Sequence, residues 1–166
     1  MVALRSVKIE GVRLVLPEGY QLIIGQAHFI KSVEDLYESL VTSMPGLKFG
    51  VAFCEASGKS LVRYDGSDAK SVKMAREFAL KIGAGHSFVV VLTEAFPINI
   101  LNRIKGVEEV ASIFCATSNP VTVVVASLGK GRGILGVIDG VSPLGVESEK
   151  DGAERREFLR KIGYKR

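Results

Sequence analysis

The chain has 166 residues, long enough for one full hydrophobic core, and no Pro/Gly/Ser-rich linker divides it. Hydrophobic residues make up 47% and charged residues 24%, which excludes a disordered chain and fits a single domain over residues 1–166. The net charge is +4 with only 7% aromatic residues, and the cations are scattered rather than interleaved with aromatics, so no nucleic-acid partner is expected.

The opening stretch MVALRSVKIEGVRLVL lacks a basic region followed by an uninterrupted apolar run. No stretch approaches the ~18 apolar residues of a membrane span, so the expected location is the cytoplasm with no membrane contact. Val2 to Ile9 alternates as a half-buried strand should, and after Gly11 the runs Val12 to Leu16 and Gln21 to Ala27 flank Pro17-Glu18-Gly19. Together they predict a strand meander closed by His28. Ser32 and Asp35 have capping-box spacing, and Val33, Leu36, Tyr37 and Leu40 recur at helical spacing up to Pro45-Gly46, predicting the first helix.

Leu47 to Ala56 is an apolar strand with Glu55 near its carboxyl end, followed by a turn at Ser57-Gly58-Lys59 and a short strand from Leu61 to Tyr64. Ligands of α/β sheets bind outside strand carboxyl ends, which makes Glu55 a candidate; the alternative is a glutamate that simply faces water. Asp65 to Asp68 supplies a turn and an N-cap, and Val72, Met74, Ala75, Phe78, Ala79 and Ile82 form the buried stripe of a second helix ending at Gly83.

Gly83-Ala84-Gly85-His86-Ser87 leads into Phe88 to Leu92, an apolar strand of the kind covered on both faces. Imidazole suits general-base work near neutral pH and can carry a phosphoryl group on a ring nitrogen, so His28 and His86 are candidates for both roles. The alternative for each is a strand-capping histidine bonded to backbone. The glycines flanking His86 permit close approach of a ligand and favour it of the two.

Pro97 opens a short helix, Ile98 to Lys105, that ends at Gly106. Val110 to Ala116 and Val121 to Leu128, joined by Thr117-Ser118-Asn119-Pro120, predict a hairpin. Cys54 and Cys115 lie inside strand-like runs and read as buried free thiols, with neither disulfide nor metal ligation expected. Glutamine and asparagine are confined to Gln21, Gln26, Asn99, Asn102 and Asn119, which points to a heat-adapted source.

Six of the eighteen glycines fall between Gly129 and Gly145. Two strand-like runs flank Gly129-Lys130-Gly131-Arg132-Gly133, where glycine backbone can turn N–H groups toward an anion while Lys130 and Arg132 add charge. A phosphate is the natural guest; a plain flexible turn is the alternative. Asp139 ends the second strand, where a carboxylate can serve as a base or ribose acceptor. An amphipathic helix, Glu149 to Lys161, closes the chain. The class is α/β: one domain with a mixed, mainly buried sheet flanked by three or four helices.

HFIKSVEDLYESL at 28–40, KFGVAFCEASG at 48–58, AGHSF at 84–88, FPINILNRIK at 96–105 and GRGILGVIDG with GVE at 131–147 together resemble the adenosine-specific kinase family of mainly archaeal proteins. The resemblance implies binding of adenosine and AMP by an α/β domain that assembles into a homo-oligomer, a trimer being favoured, with phosphotransfer as the family's proposed activity. The chain has no G-x-x-x-x-G-K-[ST] loop, so ATP enters only as a candidate phosphoryl donor and a monophosphate fits the glycine turn better. A phosphohistidine intermediate would split the transfer into two steps. The expected cluster is His86 and His28 with Asp139 and Glu55, closed by Lys130, Gly131, Arg132 and Gly133, with Asn119 or Ser118 reading the base. A non-catalytic AMP or adenosine sensor and a structural oligomer are the alternative readings.

Overall fold

The structure is a computed structural model and describes residues 6–166. The first part of the predicted opening strand, Val2 to Arg5, lies outside the described residues. In chain order the elements are β1 (Lys8–Leu14), β2 (Tyr20–Ala27), α1 (Ser32–Val41), β3 (Lys48–Cys54), β4 (Val62–Gly66) and α2 (Ala69–Ile82). They continue with β5 (Ser87–Thr93), α3 (Pro97–Lys105), β6 (Val110–Thr117), β7 (Val121–Leu128), β8 (Gly131–Asp139) and α4 (Glu149–Lys161).

The strands form two sheets, a large one in the order β4-β3-β5-β2-β6 and a small one in the order β1-β7-β8. The apolar runs of the sequence become the middle of the large sheet, where strand side chains alternate between two cores. Phe49, Val51 and Phe53 of β3 and Phe88, Val90 and Leu92 of β5 face Leu36 and Leu40 of α1 and Ile100 and Ile104 of α3. Ala52, Cys54, Val89 and Val91 face the other way, onto Phe78, Ala79 and Ile82 of α2 and Val121, Val123 and Val125 of β7. Burial on both faces explains why β5 carries no exposed residue. Gly50 lets α2 lie close on β3, since a Cβ there would stand 2.3 Å from Val72 N.

The α/β class and the four helices agree with the sequence, but the sheet is not mixed: among the described residues every strand pairing is antiparallel. The β2–α1–β3 connection does bring back a strand of the same direction, yet β5 lies between β2 and β3 and pairs antiparallel with both. The meander is corrected as well, because β1 pairs β7 in the small sheet while β2 belongs to the large one. The predicted β6–β7 hairpin fails for the same reason: the Thr117–Pro120 turn carries the chain from one sheet to the other, and β6 pairs β2. Strand periodicity fixes which face is buried but not which neighbour is paired.

Helix ends follow local chemistry. Asp68 caps α2 by accepting the Ser71 N–H at 2.8 Å, and Gly83 ends it at φ 59. Pro97 opens α3, where Asn99 Oδ1 accepts the Phe96 N–H at 2.9 Å. Asp35 does not cap α1: its carboxylate is taken by Lys31 Nζ, and the Ser32 hydroxyl instead donates to Phe29 O at 2.7 Å.

Candidate functional site

Two antiparallel steps return a strand to its starting direction, so β2 and β3 both finish at one edge of the large sheet while β5 and β6 begin there. Backbone bonds gather that edge: His86 N–H donates to Cys54 O at 2.8 Å, Ala27 N–H to His86 O at 2.9 Å and His28 N–H to Glu109 O at 2.9 Å. His86 sits in the left-handed region at φ 61, a conformation costing a non-glycine residue on the order of 1–3 kcal/mol and concentrated at functional sites. Its ring stacks on Phe53 with centroids 5.9 Å apart and planes at 11°, and meets the His28 ring edge-on at 5.1 Å. The two histidines of the chain are therefore one unit, with His86 half-buried and His28 exposed.

The glycine-rich turn between β7 and β8 reaches the same edge from the α2 side, where Gly85 N–H donates to Arg132 O at 3.3 Å. Lys130, Gly131 and Arg132 line a cavity of about 470 Å³ with Glu55, Leu61 and Leu80. Gly133 lies in a recess of about 100 Å³ on the far side of Gly85, with Gln26 and Phe114. Arg132 reaches Glu10 through Nη2, while its Nε is buried with no hydrogen-bond partner among the described residues, a donor suited to an anion. Glu55 Oε1 accepts from Arg63 Nη2 at 2.8 Å, and that guanidinium, helped by the Leu61 N–H, holds the Glu55 carboxyl below the usual carboxylate range. An ionised Glu55 is an acceptor suited to a ribose hydroxyl.

Asp139 and Asn119 are not part of this cluster. They lie at the opposite end of the sheets, where Asp139 Oδ1 accepts from Thr117 Oγ1 at 2.8 Å and from Asn119 Nδ2 at 3.0 Å. The seven steps along β8 from Arg132 to Asp139 amount to roughly 23 Å at about 3.3 Å per residue. The physical reason is the antiparallel sheet: strand carboxyl ends share one edge only when strands are parallel, and β8 starts where β2 and β3 end. Asn119 and Ser118 accordingly do not read a base beside the histidines.

Two contributors are invisible to sequence patterning. Glu109 reads as one of two loop acids, yet its side chain is 4% exposed; Oε1 lies 2.5 Å from Lys31 Nζ and Oε2 has no hydrogen-bond partner among the described residues. Lys31 also pairs with Asp35, and the two carboxylates raise the Lys31 pKa while Lys31 lowers that of Asp35. Phe29 adopts φ 152, a backbone setting that only glycine takes without strain. The one sequence signal was the block HFIK, which holds Phe29 and Lys31 but not Glu109 and belongs to the first stretch of resemblance. Cys54 and Cys115 are buried free thiols, their pKa values pushed up by burial, that of Cys115 to about 11. Among the described residues, no group of three or more His, Cys, Asp or Glu is placed to hold a metal ion.

Comparison with known proteins identifies the family. A family model described as "Adenosine specific kinase" matches residues 12–165. The chain is similar to the PH1918 protein from Pyrococcus horikoshii OT3, known from a crystal structure, at 45% identity over 97% of this chain and 99% of that one, with a TM-score of 0.93. No curated protein matches it.

Proposed function

The chain belongs to the adenosine-specific kinase family, and from that premise we propose that it binds adenosine and AMP at the histidine edge of the large sheet and transfers a phosphoryl group through His86. The observation that carries this reading is the His28–His86 ring contact at 5.1 Å beside the cationic turn. In the first half-reaction a His86 ring nitrogen forms a bond to the terminal phosphorus of ATP as the bond to the bridging oxygen breaks, and ADP leaves. In the second, the adenosine hydroxyl oxygen bonds to that phosphorus, the P–N bond breaks, and His28 takes the hydroxyl proton. Lys130 and Arg132 neutralise the transferring oxygens, and Glu55 accepts from the ribose.

The same reading takes the protein to act in the cytoplasm as a homo-oligomer, with a trimer favoured. Among the described residues, no helix is long and apolar enough to cross a membrane. Assembly is supported by the run after β8, where Val141, Leu144 and Val146 are 91%, 103% and 98% exposed.

His86→Asn and His28→Asn test the mechanism, with AMP binding read by calorimetry and acid-labile phosphate incorporation read from labelled ATP. His86→Asn should abolish incorporation and keep AMP binding, whereas His28→Asn should keep incorporation and slow transfer to adenosine. Unchanged signals in both variants would overturn the histidine mechanism, and AMP binding without incorporation in the unaltered chain would leave a non-catalytic sensor.

A further inference from the structure

We propose that the turn His28–Lys31 is a preformed platform for a purine base, with Phe29 the ring on which the base stacks and Ile30 beside it. The inference rests on the adenosine reading above and assigns the base a place that the reading left open.

Phe29 is 55% exposed and Ile30 64% exposed, and both follow directly on His28, whose ring touches His86. The sequence puts a large aromatic residue where the backbone, at φ 152, calls for glycine. Such strain persists only where the surroundings over-determine it, and it concentrates at ligand clamps. Here the surroundings are explicit. On one side His28 N–H is held by Glu109 O at 2.9 Å, and on the other Ser32, fully buried, donates to Phe29 O through its hydroxyl at 2.7 Å. Lys31 closes the turn by reaching the buried Glu109 carboxylate at 2.5 Å. One residue, Glu109, thus grips both ends of the turn, by its carbonyl and by its side chain. A backbone fixed before the ligand arrives leaves only the rotation of the Phe29 side chain to be lost on binding.

The competing seat for a base is the 470 Å³ cavity, whose rim includes Leu61 and Leu80. No aromatic residue lines it, and its cations suit phosphate oxygens better than a base face. Any purine has a π-face, and aromatic side chains are the usual partner for it; truncating such a partner weakens binding by roughly ten- to a hundredfold.

The chain contains no tryptophan, so Phe29→Trp introduces a single fluorophore at the platform. Adenosine and AMP should both quench it and inorganic phosphate should not, while a Leu61→Trp variant on the cavity rim should stay unquenched by adenosine. In calorimetry, Phe29→Ala should weaken adenosine and AMP by the same factor, about tenfold or more, with the mass in solution unchanged. Phe29→Gly, which meets the backbone setting without strain, should lose the same affinity and keep the fold if the alanine variant does not. Unaltered adenosine affinity in the glycine or alanine variant overturns the platform, as does quenching at position 61 in place of 29. A change of mass without a change of affinity also overturns it and makes Phe29 a contact between copies. If the unaltered chain binds neither adenosine nor AMP, the parent reading falls along with the platform.

Discussion

The backbone N–H of Gly85 donates to the carbonyl oxygen of Arg132 over 3.3 Å, and this bond ties the small sheet to the edge of the large one. One residue after Gly85 comes His86, in its left-handed setting. The cationic turn and the histidine pair therefore meet across a single glycine, with one on the α2 side of the sheet edge and the other beside Phe53.

That closeness makes Gly85 sensitive to substitution. A Cβ there would lie 2.9 Å from Ala56 Cβ and 3.6 Å from Ala56 Cα, short enough to push β3 and β5 apart at their ends. Gly85→Ala should destabilise the fold by about 1–3 kcal/mol and weaken AMP binding. Gly136→Ala, whose Cβ would meet nothing within 4 Å, should stay within about 0.5 kcal/mol of the parent. Thermal unfolding of the two variants side by side checks the contrast, and equal melting temperatures would contradict it.

Arg132 is shared between Glu10 and the cavity, so the two residues should act in opposite directions on phosphate. Arg132→Gln removes the buried unpartnered Nε and the Glu10 pair together. AMP should bind roughly tenfold more weakly, since hydrogen bonds to charged groups are worth about 1.5–3 kcal/mol, while adenosine, lacking the phosphate, should be little affected. Glu10→Gln frees the guanidinium and should tighten AMP, at little cost to stability because the Glu10 carboxylate is exposed. Calorimetry with both ligands on both variants decides it; a parallel loss of adenosine affinity in Arg132→Gln would move the phosphate elsewhere.

The histidine edge was legible because its parts are local. Gly85-His86 before an apolar run and His28 after one mark strand ends, and Glu55 ends a strand of the same direction as β2. Asp139 ends an equally apolar strand and carries the same local signature, yet it lies at the far edge. Its position depends on which strands pair and in which sense, a long-range property that two-residue periodicity does not encode. Glu109 was missed for a related reason: nothing adjacent to it in sequence shows that Lys31 will bury it. The strain at Phe29 is likewise imposed by Glu109 and Ser32 rather than by its own residue type.

Acid should loosen α2, the helix that walls the cavity. Asp68 accepts from the Ser71 N–H and hydroxyl, both at 2.8 Å, and these bonds lower its pKa below the ordinary 3.8. A depressed folded-state pKa means that the contribution is fully present above the unfolded value and is lost as pH falls through the folded one. Asp68→Ala should therefore cost about 1 kcal/mol at pH 7 and progressively less below pH 4. Asp68→Asn keeps an acceptor that does not titrate and should flatten this part of the pH dependence. Urea unfolding of the three chains from pH 7 to pH 3 measures it, and an Asp68→Ala deficit that persists undiminished at pH 3 would refute the assignment.

Three residues that the chain itself leaves uncovered offer a surface for assembly. Val141, Leu144 and Val146 follow β8 with almost nothing of their own subunit against them, and Leu135 and Ile138 on β8 are each 59% exposed. Single exposed apolar residues are ordinary, but five on one edge strand and the segment leaving it form a patch of the kind that marks an interaction surface. An edge strand of nine residues also offers unpaired backbone groups to a neighbour. If a second copy covers this region, a charge placed within it should cost the assembly far more than it costs the subunit. Leu144→Glu should lower the mass seen by light scattering at micromolar concentration toward that of one chain, 17.9 kDa, without altering the helix and strand signal in circular dichroism. The parent chain should also unfold at a temperature that rises with its concentration, because association stabilises only the folded subunit, and the variant should lose that dependence. A parent chain of monomer mass, with a melting temperature independent of concentration, would show that these residues serve something other than self-association.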